Sequence, residues 1–140
     1  MTTEEKLRWG LISTANINRS VIGPIRDSER SELAGVASRS LERAEEYAKA
    51  RSIPIAYGSY EAMLDDPKID AVYISLPNAL HETWTVAAAE AGKHVLCEKP
   101  LVPTPEALDH IEAAAEANDV TVFEAYMYLH HPQTLKVIEM

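Results

Sequence analysis

Strand-like and helix-like segments alternate along the whole of this 140-residue chain. Short apolar runs bounded by turn residues predict six strands. They are Leu7–Ile12, Leu33–Ala37, Ile55–Tyr57, Ala71–Leu76, His94–Cys97 and Val120–Phe123. Because consecutive parallel strands need a crossover, usually a helix, this alternation predicts an α/β fold with a doubly wound parallel sheet.

The helices between the strands are predicted from capping residues. Side chains that accept hydrogen bonds from the first turn of a helix stand at four suitable positions: Ser40, Ser59, Asn78 and Thr104. A last helix is expected to begin near Pro132. None of these segments is of low complexity, and we find no linker.

The first helix is predicted over residues 16–28. Its apolar face should include Ile17, Val21 and Ile25, which recur at helical spacing. Pro24 lies inside this pattern and predicts a kink or an early end, because proline has no backbone donor.

Composition and charge narrow the class of protein. The chain has 13 basic and 22 acidic residues and a net charge of −9, which argues against nucleic acid or an anionic membrane as a partner. No apolar run approaches membrane-spanning length, and the amino terminus does not resemble a signal peptide. The single cysteine excludes an internal disulfide and fits a reducing compartment, so we expect a cytoplasmic protein.

The turn after the first strand is the usual phosphate-binding position of such a fold. It spans residues 13–18, and Ser13, Ala15 and Asn18 occupy the three glycine positions of the Gly-x-Gly-x-x-Gly pattern. The hydroxyls of Ser13 and Thr14 are candidate donors to a pyrophosphate, and Ala15 is small enough for close approach. An ordinary strand–helix turn remains an equally good interpretation.

The end of the second strand indicates which dinucleotide would bind. An enzyme that prefers NAD usually has an acidic residue there for the ribose hydroxyl. This chain has Ser38, Arg39 and Ser40, with Arg43 one turn later. Two guanidinium groups suit a 2′-phosphate, so we predict NADP over NAD. The alternative is a polar helix start with surface arginines.

Two further loops should lie at the same edge of the sheet. In the first, residues 77–81, Asn78 is a candidate N-cap, and His81 either reaches a ribose or has a structural role. In the second, Glu98 and Lys99 follow a buried strand directly, which places a lysine where ligands bind in parallel sheets. The alternative is a solvated ion pair in a turn.

Metal and nucleophile chemistry have no support in the sequence. His130 and His131 are adjacent, but no cysteine or acidic residue stands at a suitable spacing from them. There is no Gly-x-Ser-x-Gly element. We therefore predict no metal site.

Three segments together resemble the glucose–fructose oxidoreductase / inositol dehydrogenase (Gfo/Idh/MocA) family. They are residues 93–100 (KHVLCEKP), 77–81 (PNALH) and 124–128 (EAYMY). The resemblance runs from Leu7 to Gln133 and is strongest to NADP-dependent sugar dehydrogenases, including xylose dehydrogenases, and dihydrodiol dehydrogenases. It implies a Rossmann fold with strand order 3-2-1-4-5-6. The departures from the family pattern are Ser13, Asn18 and Leu129.

The resemblance also implies an activity. It is hydride transfer between a nicotinamide and a sugar or polyol, such as an aldose like xylose, or a related diol, with Lys99 as the catalytic residue. Glu98 would orient Lys99 or bind the nicotinamide riboside, and the Lys99–Pro100 bond would be cis. The implied cofactor contacts are Ser13, Thr14, Ala15, Asn16, Ile17, Ser38, Arg39, Ser40, Arg43, Tyr57, Leu76, Pro77, Asn78, His81, Glu98 and Lys99.

Members of this family continue into a second α+β domain that contacts the substrate. We therefore expect residues 1–125 to form the cofactor domain and residues 126–140 to begin the connection to a second domain that this chain lacks. Without it we expect cofactor binding and little catalysis. We also expect homo-oligomers of the full-length protein and self-association through exposed residues 126–128. Two alternatives are a non-catalytic regulatory module and a domain that binds no dinucleotide.

Overall fold

The computed structural model describes residues 6–140 and contains one six-stranded sheet. The strands are β1 (Leu7–Ile12), β2 (Ser31–Ala37), β3 (Ile55–Tyr57), β4 (Ala71–Ile74), β5 (His94–Cys97) and β6 (Val122–Glu124). Every neighbouring pair is parallel, and the order is β3-β2-β1-β4-β5-β6. The predicted doubly wound sheet and its strand order are confirmed.

Helices connect the strands. They are α1 (Arg19–Asp27), α2 (Leu41–Arg51), α3 (Tyr60–Leu64), α4 (His81–Glu90), α5 (Pro105–Ala117) and α6 (Pro132–Ile138). Three 3₁₀ turns complete the chain: Asn16–Asn18, Asn78–Leu80 and Met127–His130. Within residues 6–140, no helix has the length and apolar character needed to cross a membrane.

Alternate residues of the central strands face two separate cores. Ile12 and Ile74 belong to the cluster that includes side chains of α3 and α4. Leu11 and Tyr73 belong to the other cluster, which includes side chains of α1 and α2. Because both sheet faces are covered there, β4 and residues 9–12 of β1 are apolar rather than alternating with polar residues.

The predicted strand ends differ from the observed ones where pairing decides them. β4 ends at Ile74, not at Leu76, because Ile74 is the last residue opposite both Ile12 of β1 and Cys97 of β5. β6 is an edge strand and begins at Val122, the first residue paired with β5. The apolar pattern of the sequence alone does not predict where these strands begin and end.

The first helical segment speaks against an early end at Pro24 and corrects the expected position of Ile17. It starts as the 3₁₀ turn and continues as α1 through Pro24 to Asp27, so it does not end early. Ile22 and Ile25 are both buried, which holds the helix on either side of the proline. Ile17 is 41% exposed rather than part of the apolar face. A 3₁₀ turn has three residues per turn, so the helical spacing counted from Ile17 does not carry into α1.

An ion pair joins β1 to the residue before β4 at the amino edge of the sheet. The guanidinium of Arg8 donates to both carboxylate oxygens of Asp70, at 2.7 Å from Nε and 2.6 Å from Nη2. The backbone nitrogen of Arg8 donates to the same carboxylate at 2.8 Å. These bonds, led by the side-chain bond, lower the pKa of Asp70.

Candidate functional site

The loops that follow the strands meet at the carboxyl edge of the sheet. The backbone nitrogen of Ser13, after β1, donates to the carbonyl oxygen of Ala37 at 3.2 Å. The backbone nitrogen of Glu98, after β5, donates to that of Ile74 at 2.9 Å. Polar residues far apart in sequence are therefore brought to one edge, which is where ligands bind in open α/β sheets.

The turn after β1 presents a backbone surface to solvent. Thr14 and Ala15 are half-buried, and Asn16 and Ile17 are exposed. Ser13 differs from the expectation that its hydroxyl meets a pyrophosphate. It is buried, and its Oγ lies 2.7 Å from Ser75 Oγ and accepts from the backbone nitrogen of Ala15 at 3.1 Å. Its hydroxyl is used inside the fold.

At the end of β2, the serines and the arginines have separate roles. Ser38 Oγ accepts from the backbone nitrogen of Ser40, and Ser40 Oγ caps α2 by accepting from the backbone nitrogen of Arg43, each at 3.4 Å. Arg39 and Arg43 are exposed. The serines shape the loop and start the helix, and the two guanidinium groups are left to face solvent.

Tyr60, at the start of α3, is a neighbour of these arginines that the sequence patterns did not identify. Burial raises the pKa of Tyr60, and the positive charges of Arg39 and Arg43 oppose that rise. The only hint in the sequence was the predicted cap at Ser59, which fixes where α3 begins. Tyr60 is thus a buried neighbour of the two exposed arginines.

Tyr57, the last residue of β3, is buried. Its ring occupies the space above Gly35, where an added Cβ would lie 2.7 Å from the ring. Its hydroxyl donates to Asp66 at 2.8 Å, in the loop between α3 and β4 that leads to the opposite edge. The polar end of Tyr57 is thus used inside the fold, and its role as a cofactor contact stays a prediction.

In the loop after β4 the structure corrects the expectation for Asn78 and gives His81 one of its two expected roles. Asn78 is not an N-cap: it begins the 3₁₀ turn that precedes α4, and its side chain makes no capping bond. His81 is fully buried, so it does not reach a ribose. Its Nε2 lies 2.8 Å from the carbonyl oxygen of Leu76, and its Nδ1 lies 2.7 Å from that of Pro100. His81 joins the loops after β4 and β5, while Pro77 and Asn78 are exposed.

Glu98 is anchored by a residue that the sequence patterns did not single out. The hydroxyl of Tyr73, on β4, donates to Glu98 Oε1 at 2.5 Å. Burial, followed by this bond, raises the pKa of Tyr73, so the phenol keeps its proton and remains the donor. The carboxylate of Glu98 is thereby held at the carboxyl edge of the sheet.

Lys99 follows Glu98 directly and is exposed. It makes no hydrogen bond or ion pair with other residues in the 6–140 range. The Lys99–Pro100 peptide bond is cis. The loop is also held on the other side of Lys99, because the backbone nitrogen of Leu101 donates to Glu124 Oε1 at 2.7 Å. The ammonium is thus free on a loop that is fixed on both sides.

A cavity of about 500 Å³ lies beside Glu98, between α1 and the 3₁₀ turn Met127–His130. Its walls are mainly apolar and include Tyr73, Leu96, Phe123 and Tyr126. Lys99 is not among its walls. In the described part of the chain, no three His, Cys, Asp or Glu side chains are grouped so that they could hold a metal ion.

Comparison with known proteins finds relatives with the same fold. The sequence model of the GFO_IDH_MocA oxidoreductase family, an NAD-binding Rossmann fold, matches residues 7–126. A D-xylose 1-dehydrogenase (NADP(+)) of Haloferax volcanii is 46% identical over 135 residues, which are 96% of this chain and 41% of that protein. A trans-1,2-dihydrobenzene-1,2-diol dehydrogenase of Danio rerio is 36% identical, over 94% of this chain and 40% of that protein.

A solved structure is similar over the same region. KijD10, a 3-ketoreductase from Actinomadura kijaniata solved with NADP and TDP-benzene, superposes with a TM-score of 0.89 at 34% identity. The match covers 97% of this chain and 42% of KijD10. The chain therefore spans about two fifths of the length of the proteins that it resembles.

Proposed function

The chain belongs to the Gfo/Idh/MocA oxidoreductase family, and we propose that it is the NADP-binding domain of a dehydrogenase acting on a sugar or a diol. The observation that carries this proposal is the meeting of three loops at the carboxyl edge of one sheet. They bring the backbone of residues 14–17, the guanidinium groups of Arg39 and Arg43, and the ammonium of Lys99 to a common rim.

The residues present suit a dinucleotide. Thr14, Asn16 and Ile17 have backbone nitrogens that donate no hydrogen bond to any residue the structure describes, and they precede the amino end of α1. Such a group of free donors favours a pyrophosphate. We propose that these three donors hold it, with Ala15 small enough to let it approach.

The proposed preference for NADP rests on charge at the end of β2. Arg39 and Arg43 are both exposed there, and residues 38–40 include no acidic side chain that would repel a phosphate. Guanidinium groups match phosphate oxygens in charge and geometry. The named xylose dehydrogenase uses NADP(+), and KijD10 was solved with NADP, which supports the same assignment here.

A bound nicotinamide supplies a carbon that gives or accepts hydride. In our proposal the Lys99 ammonium polarises the oxygen of the reacting carbonyl and gives it a proton when hydride arrives at the carbon. In the reverse direction the Lys99 amine takes the hydroxyl proton as hydride leaves. Glu98, held by Tyr73 at 2.5 Å, keeps the loop that carries Lys99 in place. A lysine on a loop that is held on both sides favours a catalytic role over a purely regulatory one.

We further propose that residues 1–125 form the cofactor domain and that residues 126–140 begin the connection to a substrate domain. The apolar side chains of the last turn and helix support this division, because they are largely exposed. They include Met127 (72%), Tyr128 (58%), Val137 (65%) and Ile138 (72%). Exposed apolar surface of this extent usually marks an interface.

The test is a fluorescence titration of the 140-residue chain with NADPH and, separately, with NADH. We expect saturable binding of both, with NADPH at least about tenfold tighter because the 2′-phosphate adds charge-assisted bonds. Equal affinities would contradict the proposed preference for NADP. Absence of binding to either would contradict the proposed function as a whole.

A further inference from the structure

Three buried polar side chains form a closed hydrogen-bonded ring behind the turn after β1. Ser13 and Ser75 are each 8% exposed, and Asn18 is fully buried. Ser75 Oγ donates to Asn18 Oδ1 at 2.5 Å, and Asn18 Nδ2 donates to the carbonyl oxygen of Ser13 at 2.9 Å. Ser13 Oγ lies 2.7 Å from Ser75 Oγ.

The count of hydrogens assigns the donors in this ring. A serine hydroxyl donates once, and Ser75 spends its hydrogen on Asn18. Ser13 is therefore the donor to Ser75, while its own oxygen accepts from the backbone nitrogen of Ala15. Each contact in the ring therefore joins one donor to one acceptor, as buried polar groups require.

The ring occupies two positions where the general dinucleotide-binding pattern has glycine. In that pattern the first glycine allows the tight turn and the third allows close packing of the helix on the strand. Ser13 takes the first position with φ of 124°, a backbone conformation that favours glycine. Asn18 takes the third, and it binds the carbonyl oxygen of Ser13 itself. The two substitutions for glycine are thus in direct contact.

We propose that Ser13, Asn18 and Ser75 are positioning residues for the cofactor pyrophosphate. The ring fixes the two peptide groups that follow Ser13, one through the Ser13 carbonyl oxygen and the other through the Ala15 nitrogen. It thus holds a backbone shape that glycine would adopt without such support. It thereby directs the free backbone nitrogens of Thr14, Asn16 and Ile17 toward the rim. This inference rests on the proposed function, because it concerns how the same turn is held.

The test compares ligands with and without a pyrophosphate. Binding of NADPH, NADH and 2′-AMP is measured by calorimetry for the unsubstituted chain, Asn18→Ala and Ser75→Ala, and thermal unfolding confirms that each is folded. We expect both variants to bind NADPH and NADH about tenfold more weakly, with 2′-AMP affinity unchanged. Asn118→Ala, which removes an exposed bond to the Ala114 carbonyl oxygen on α5, is the matched control and should bind as the unsubstituted chain does.

A double variant tests whether the ring replaces glycine. Ser13→Gly combined with Asn18→Ala should restore NADPH affinity to within about threefold of the unsubstituted chain, because glycine adopts the positive φ without support. Unchanged NADPH binding in Asn18→Ala and Ser75→Ala, equal losses for NADPH and 2′-AMP, or no recovery in the double variant would each overturn the inference. An unsubstituted chain that binds no NADPH would instead overturn the proposed function, and this inference with it.

Discussion

The imidazole of His81 lies 2.7 Å, through Nδ1, from the carbonyl oxygen of Pro100, nineteen residues further along the chain. Its other nitrogen faces the carbonyl oxygen of Leu76 at 2.8 Å. One fully buried ring at the start of α4 therefore links the loop after β4 with the loop that carries Lys99. The sequence left a ribose contact and a structural role open for His81, and these two contacts give it the structural role.

Removing this link should destabilise the protein. His81→Ala leaves a buried carbonyl oxygen without a donor and opens a cavity, so we expect the free energy of unfolding to fall by about 2–4 kcal/mol. Urea denaturation followed by circular dichroism measures the change. His110→Ala is the matched control: His110 lies 2.8 Å from Glu82 but both side chains are exposed, so the loss should be below about 0.5 kcal/mol. Similar losses in both variants would contradict the structural role.

The arginines at the end of β2 should control the choice between the two dinucleotides. Arg39→Ala is expected to weaken NADPH binding about tenfold or more and to leave NADH binding nearly unchanged, because only NADPH carries the 2′-phosphate. Fluorescence titration measures both affinities. Arg30→Ala, an exposed arginine between α1 and β2, should change neither. A parallel loss of NADH affinity in Arg39→Ala would show that this side chain does not act on the phosphate.

Lys99 should matter for turnover and not for cofactor binding. In a protein that joins this chain to its proposed substrate domain, Lys99→Met should lower kcat by about 100-fold or more, because the group that exchanges a proton with the substrate is lost. The dissociation constant for NADPH should change by less than about threefold. Lys68→Met, at an exposed position before β4, is the control and should keep full activity. Equal loss of turnover and NADPH binding in a folded Lys99→Met variant would refute the assignment.

The ion pair at the amino edge should make stability depend on pH in acid. The pKa of Asp70 is lower in the folded chain, so its contribution is fully present above the unfolded value of about 4 and is lost as the pH falls through the folded value. Asp70→Asn should cost about 1 kcal/mol at pH 7, a modest figure because both partners are partly exposed. The difference in urea midpoint between the unsubstituted chain and Asp70→Asn should shrink only below about pH 4. Asp109→Asn, on the exposed side of α5, should show no such difference at pH 7.

Much of the fold followed from local pattern. The predicted spans of β1, β3 and β5 are the observed ones, and Ser40, Ser59 and Thr104 cap their helices as expected. These features depend on residues within a few positions of one another, which a sequence displays directly. The limits of β2, β4 and β6 were missed because they depend on where a neighbouring strand begins or ends; β2, for example, begins at Ser31, opposite Leu7 of β1, and not at Leu33.

The sequence by itself determined that this chain is a parallel α/β sheet and which loops lie at its carboxyl edge, because apolar spacing and turn residues act locally. Only the tertiary structure decided which polar side chains at that edge face a ligand. Ser13 turns inward to meet Ser75, sixty-two residues away, and His81 turns inward to meet Pro100, while Lys99 remains exposed. The physical reason is that a buried polar group must find its hydrogen-bond partner wherever the fold brings one, and no local pattern names that partner.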